Sequence, residues 1–293
     1  MASRLLGGAG QEREAGADKR ISKAADAIAS GKPSLVWLQG ATESGCTVSF
    51  SNAEYPDIFQ AIEGVRLEFQ QTLSAKSGTF VLDKYKKGGL DILVLEGAVP
   101  SGKFGFMGED ENGEEIPFEN WVKQLGAVAK YAIAVGTCAS FGGIHAARPN
   151  PTGCRCMQDV LPDKAVVKIP GCPPHPDWIS LSLLALLEGK PLPNFWNKKV
   201  HERCNYHYCY ENEEFSKEFD QDACRKKIGC KGQDDYADCA VRKWNRQSFC
   251  MEVGAPCTGC VSKGFPDATS PFFEEKSPVA SFSAKKLNFG SKK

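Results

Sequence analysis

Short apolar runs, each closed by a glycine, set the rhythm of the first two-thirds of this chain. They are SLVWLQG (34–40), DILVLEG (91–97), YAIAVG (131–136) and AVVKIPG (165–171). Unbroken apolar runs of this length, stopped by turn residues, predict buried β-strands. Between and after them, apolar positions recur at helical spacing over Tyr55–Leu73, Trp121–Lys130 and Asp177–Gly189, which predicts helices. Strands alternating with helices predict an α/β fold with a parallel sheet, whose functional groups gather at the carboxyl ends of the strands. Cys46, Cys138 and Cys172 follow the first, third and fourth runs, so three residues far apart in sequence are expected at one end of the sheet. The plainer alternative is three buried cysteines that serve only as small apolar residues.

From PLPNFW (191–196) onward the alternation stops, and cysteine, charged and aromatic residues dominate. The expected organisation is a polar N-terminal extension over 1–32 with one short helix, then an α/β domain over 33–195. A loop-rich domain ordered by metal follows over 196–265, and an extended tail over 266–293 is expected to lie against a partner. A chain of 293 residues is long enough for two such domains, each with a core of its own.

Lys+Arg and Asp+Glu are equal at 36 each, so no net field draws the chain to nucleic acid or to an anionic membrane. No stretch approaches the roughly 20 apolar residues of a membrane span, and residues 1–20 contain neither a continuous apolar run nor a twin-arginine pair, so no export leader is expected. A cytoplasmic chain is expected, reaching a membrane only through a partner. The 13 cysteines are an odd number, and in a reducing compartment they point to metal rather than disulfides. Most of them lie between Cys204 and Cys260, behind His201. Dense soft thiolates suit several iron–sulfur clusters and hence electron transfer; a zinc-stabilised scaffold is the alternative from another class. No Walker loop, GxGxxG fingerprint or spaced Ser/His/Asp set occurs, which excludes nucleotide and hydrolase readings.

An ordered series of motifs carries a family resemblance. VWLQGATESGC (36–46), LEGAVP (95–100), GTCASFGGIHAARPNPTG (136–153) and PGCPPHP (170–176) are followed by HERC (201–204), CRKKIGCKG (224–232), DCAVRKWN (238–245) and CTGCVSKGFPD (257–267). Together they resemble the small, electron-transfer subunit of [NiFe] hydrogenases. The resemblance implies a flavodoxin-like domain with a proximal [4Fe–4S] cluster, then a domain with medial and distal clusters. The nickel–iron centre would sit in a separate large subunit, so this chain would hold no catalytic residue of its own. It would relay electrons from H2 oxidation to an acceptor protein or a quinone-linked partner, within a higher oligomer of heterodimers. Among relatives it looks closest to the soluble uptake type; a regulatory, hydrogen-sensing complex is the alternative within the family. A related subunit of respiratory complex I shares the proximal-cluster domain but lacks the array from His201 to Cys260.

The resemblance also implies ligands. His201, Cys204, Cys224 and Cys230 match the distal [4Fe–4S] pattern, where a neutral imidazole in place of a thiolate raises the potential. Cys239, Cys257 and Cys260 match the medial set, and Cys250 stands where many relatives have proline. A fourth thiolate implies a medial [4Fe–4S] cluster, with an idle Cys250 and a [3Fe–4S] cluster as the alternative. Cys46, Cys138 and Cys172 match the proximal set, but Glu43 occupies the position of its usual fourth cysteine. Three outcomes stay open: Glu43 ligates, Cys154 or Cys156 supplies the missing donor, or the cluster loses an iron. A carboxylate is harder than a thiolate and favours oxidised iron, so this shell is expected to behave differently from the standard one and to confer oxygen tolerance. Cys209 and His207 match no position in the family, and Glu96 is expected to be structural or part of the polar surroundings of the cluster.

Overall fold

The computed structural model describes residues 31–74, 83–85 and 87–275. The short helix expected within 1–32 and the tail beyond 275 lie outside the described residues.

Each of the glycine-stopped runs is a strand: β1 Ser34–Gln39, β3 Ile92–Glu96, β6 Tyr131–Val135 and β7 Val166–Ile169. Together with β2, Arg66–Gln70, they form one parallel sheet in the order β2–β1–β3–β6–β7. Numbered among themselves the parallel strands run 2-1-3-4-5, the flavodoxin-like order. A separate hairpin pairs β4, Phe106–Glu109, with β5, Glu115–Pro117, which the sequence pattern did not predict.

The segment expected as one helix over Tyr55–Leu73 is two elements, and the expectation fails for a local reason. Asp57 accepts from the Gln60 amide while the Gln60 side chain accepts from the Asp57 amide, a capping box that starts α2, Ile58–Glu63. Gly64 ends that helix, and the Arg66 amide then donates to the Pro33 carbonyl at 2.8 Å, starting β2 beside β1. RLEFQ is a half-polar edge strand whose short pattern a single helical period also fits.

Strand alternation divides the core. Leu35, Trp37, Ile92, Val94, Ile133, Val135 and Ile169 face one side, against Trp178, Ile179 and Leu183 of helix Pro176–Leu187. Val36, Leu38, Leu93, Leu95, Ala132 and Ala134 face the other, against Trp121, Val122 and Leu125 of helix Phe118–Val128. Helix α1 is Gly45–Ser51, so these two are α6 and α3 in chain order, with α4, Gly136–Phe141, and α5, Met157–Val160, between them.

The cysteine-rich segment, expected to be ordered by metal rather than by a large apolar core, also shares the first of these cores. Val200, Ala237, Ala240, Phe249, Met251 and Val261 join the cluster that contains Trp178. Polar contacts reinforce the join: Trp178 Nε1 donates to Asp238 at 2.7 Å, and Arg242 bridges Asp238 at 2.6 Å and Asp177 at 3.0 Å. Residues 266–275, expected to extend, instead fold back: Phe272 stacks on Phe265 and Phe273 meets Phe219 edge-on.

Candidate functional site

The proximal group forms where three strands end. Cys46 lies in the first turn of α1 beyond β1, Cys138 in α4 beyond β6, and Cys172 just past β7. Thr137 locks the ends together: its amide donates to the Gly171 carbonyl at 2.8 Å, and its hydroxyl accepts from the Gly171 amide at 2.9 Å. The same hydroxyl donates to the Cys260 carbonyl.

Burial, then the charges of Glu96, Glu43, Cys138 and Cys172, hold the Cys46 thiol far above its usual pKa. Burial, Cys138 and Glu43 push Cys172 up to about 11. Thiolates gathered this closely repel one another, so their coexistence calls for a cationic partner. Amides of Ile144 and His145 pull the Cys138 pKa back down, the polarity expected around cluster sulfur.

Among the expected donors for the fourth proximal position, the Glu43 carboxylate acts on Cys46, Cys138 and Cys172 alike. Cys154 is buried, acts on Cys138 alone of the three, and its sulfur sits 3.2 Å from the Thr152 hydroxyl. Cys156 precedes α5 and its thiol faces Asp159 and Gln158. Glu43 therefore lies within electrostatic reach of all three cysteines, whereas the Cys156 thiol faces Asp159.

Glu96, at the end of β3, is fully buried and clamps the Cys46 loop. It accepts from Trp37 Nε1 at 3.1 Å, Thr42 Oγ1 at 3.2 Å and the Cys46 amide at 3.1 Å. This is the structural role expected of it.

Backbone room completes the cradle. Gly136 has φ +89°, and a Cβ there would come within 2.5 Å of the Cys46 sulfur. Gly136→Ala is expected to displace Cys46 and, on the ligand sets expected from the resemblance, to abolish the proximal cluster's EPR signal while sparing the other two. EPR of the reduced variant checks this, and an intact proximal signal would refute the cradle.

Cys239 begins α8, Cys239–Arg242, and burial, Cys250, Asp235 and Asp238 push its thiol up to about 12. Cys257 and Cys260 are held well above the usual thiol pKa by burial and then by Asp235. Asp235 is itself buried, which pushes its carboxyl up to about 6 against the pull of Ser262, whose hydroxyl donates to it at 2.7 Å. Nothing in the acidic run GQDDYADC (232–239) marks Asp235; only burial does.

His201, Cys204, Cys224 and Cys230 line one cavity with Arg225 and Gly232. Burial pushes Cys204 up to about 11, opposed by the Tyr206 amide, which lies 3.4 Å from its sulfur. Arg225 is buried beside this group, stacked on Tyr206 and donating to the Gly254 carbonyl at 3.0 Å.

The groups are tied in series by the backbone beside them: the Thr137 hydroxyl, next to Cys138, donates to the Cys260 carbonyl, and the Lys231 amide, next to Cys230, donates to the Cys257 carbonyl at 2.8 Å. Among the described residues no three His, Cys, Asp or Glu converge as a single-ion site would, and no helix is long and apolar enough to cross a membrane.

Two family models match in sequence order. Residues 44–186 match the family of the NADH ubiquinone oxidoreductase 20 kDa subunit. Residues 196–273 match the family defined by the C-terminal region of NiFe/NiFeSe hydrogenase small subunits. The chain is 37% identical to the periplasmic [NiFeSe] hydrogenase small subunit of Desulfomicrobium baculatum, over 83% of this chain and 87% of that protein. It is 33% identical to the hydrogenase-1 small chain of Escherichia coli, over 80% of this chain and 68% of that one. A solved D. baculatum [NiFeSe] hydrogenase superposes with TM-score 0.78 at 35% identity, covering 84% of this chain and 99% of that chain. An actinobacterial-type NiFe hydrogenase from Ralstonia eutropha gives 0.77 at 29% identity, covering 88% and 86%.

Proposed function

This chain belongs to the small-subunit family of [NiFe] hydrogenases, and we propose that its residues hold three iron–sulfur clusters in a row. As a small subunit it serves electron transfer in a hydrogenase formed with a large subunit. In this reading Cys46, Cys138, Cys172 and Glu43 hold the proximal cluster. Cys239, Cys250, Cys257 and Cys260 hold the medial one, and His201, Cys204, Cys224 and Cys230 the distal one. When bound, the clusters supply one-electron carriers; the chain spaces them, excludes water and sets their potentials through sulfur-directed amides and buried charge.

The observation that carries the proposal is the pair of hydrogen bonds, from the Thr137 hydroxyl to the Cys260 carbonyl and from the Lys231 amide to the Cys257 carbonyl, which tie the thiol groups end to end. Iron and acid-labile sulfide analysis of the anaerobically purified heterodimer tests it. Visible absorption with three distinct reducible centres is expected; a colourless, zinc-loaded protein would overturn it.

Glu43 is proposed as the fourth proximal ligand because its charge reaches all three proximal cysteines. Potentiometric EPR should place the wild-type proximal transition below that of Glu43→Cys, since a carboxylate favours oxidised iron. Glu43→Ala should leave a three-iron signal. Oxygen tolerance is part of the same proposal, and Glu43→Cys should lose hydrogen oxidation faster under air. Identical transitions and identical oxygen sensitivity in wild type and Glu43→Cys would remove both. A cytoplasmic location, an acceptor protein or quinone-linked partner at the distal end, and assembly of heterodimers into a higher oligomer belong to the same reading. Cell fractionation and co-purification under anaerobic conditions test them.

A further inference from the structure

We infer that His207, backed by Glu211, is a positioning residue for the distal cluster: it selects which nitrogen of His201 meets iron and strengthens that nitrogen as a donor. The inference rests on His201 being an iron ligand, as proposed above.

His201 lies in the single turn His201–Arg203, and its ring is boxed edge-on by Tyr210 at 4.4 Å and His207 at 4.7 Å between centroids. His207 opens α7, His207–Glu211. Its Nδ1 lies 3.2 Å from Nε2 of His201, and its Nε2 lies 3.4 Å from Oε1 of Glu211, one turn along the helix. Two rings and a carboxylate thus form a line from the cysteine-lined cavity to the surface.

A nitrogen that binds iron gives up its lone pair and cannot also face His207 at hydrogen-bond distance. Nε2 of His201 is engaged by His207, which leaves Nδ1 for iron. With iron on Nδ1, a neutral His201 carries its proton on Nε2 and donates it to Nδ1 of His207. His207 then carries its own proton on Nε2, facing the Glu211 carboxylate. Glu211 polarises His207, and His207 draws the His201 proton outward, so the ligating ring gains negative character. That ring stabilises oxidised iron better than an imidazole with no outer partner. The line therefore returns part of the negative charge that replacing a thiolate by imidazole removes, and it holds the distal potential down.

Potentiometric EPR of the distal cluster, combined with nitrogen ENDOR on the anaerobically purified heterodimer at fixed pH, tests the inference. His207→Leu should keep the nitrogen coupling yet favour reduction by about tenfold, taking as scale the low end of outer-partner effects on metal affinity, which is roughly 59 mV for a one-electron couple. In His207→Gln the side-chain oxygen still accepts the His201 proton, so most of the shift should be recovered. Glu211→Gln should shift the potential the same way by less. An unchanged potential in His207→Leu, with nitrogen coupling intact, overturns the inference. If His207→Leu fails to assemble its cluster, unchanged potentials in both His207→Gln and Glu211→Gln overturn it instead. Absence of nitrogen coupling in the wild type would sink the ligand assignment beneath it.

Discussion

Replacing Cys260 by alanine is expected to cut hydrogen-driven reduction of an external acceptor by more than about 100-fold, beyond the 10–100-fold typical of losing an outer partner. Cys260 stands at the join between the proximal and medial groups. Its carbonyl accepts from the hydroxyl of Thr137, the residue before Cys138. In the proposed reading, removing the Cys260 sulfur opens the medial shell on the side nearest the proximal group. Exchange of D2 with solvent protons needs no net removal of electrons, so it should continue at the large subunit's site. That split between the two activities separates a broken relay from a collapsed heterodimer. A normal medial EPR signal and a normal acceptor rate in Cys260→Ala would exclude Cys260 as a ligand.

Stripping the iron should produce the second large effect, local unfolding of the cysteine-rich segment with the sheet left standing. Between residues 196 and 275 regular structure is confined to short helices such as α7 and α8 and single turns. Buried thiols at Cys224 and Cys257 and half-buried ones at Cys204, Cys230, Cys239 and Cys260 sit where a folded core would place hydrocarbon. Structural metal can contribute about 10–16 kcal/mol, which equals or exceeds the roughly 5–15 kcal/mol that holds an ordinary domain. Hydrogen exchange followed by mass spectrometry should therefore show amides near Cys204–Cys260 losing protection after chelation, while β1, β3 and β6 keep theirs. The apolar contacts of Val200, Phe249 and Met251 with the sheet's core should retain a collapsed remnant rather than a random coil. Unchanged protection across Cys204–Cys260 after complete iron loss would show that the loops fold without metal.

Much of the architecture is legible in the chain because burial on both faces writes strands as unbroken apolar runs. SLVWLQ, ILVLE and YAIAV need no partner to be recognised, and the glycines that stop them mark the ends where Cys46 and Cys138 are presented. Edge strand β2 escapes the same reading because it is half-polar and follows a helix with its own cap. The short helices α1 and α4 escape too: at seven and six residues they are too brief to show a period, yet they carry Cys46 and Cys138.

Ligand chemistry follows the same division. The number and order of cysteines, the single imidazole before Cys204 and the carboxylate at residue 43 are covalent facts of the linear chain, and it is the family resemblance that sorts them into expected sets, one of them short of a thiolate. Which donors meet is decided only by folding. Chain proximity ranks Cys154 and Cys156 alike, but the turn into α5 sends one thiol to the edge of the proximal group and the other toward Asp159. Asp235 is one acid among several until burial places it against the medial sulfurs, and His207 is an unmatched histidine until one turn of α7 sets it 3.2 Å from His201. Identity and order are local properties of a polymer; burial, charge coupling and the direction of a ring nitrogen depend on residues tens of positions away, and only the closed tertiary structure brings them into range.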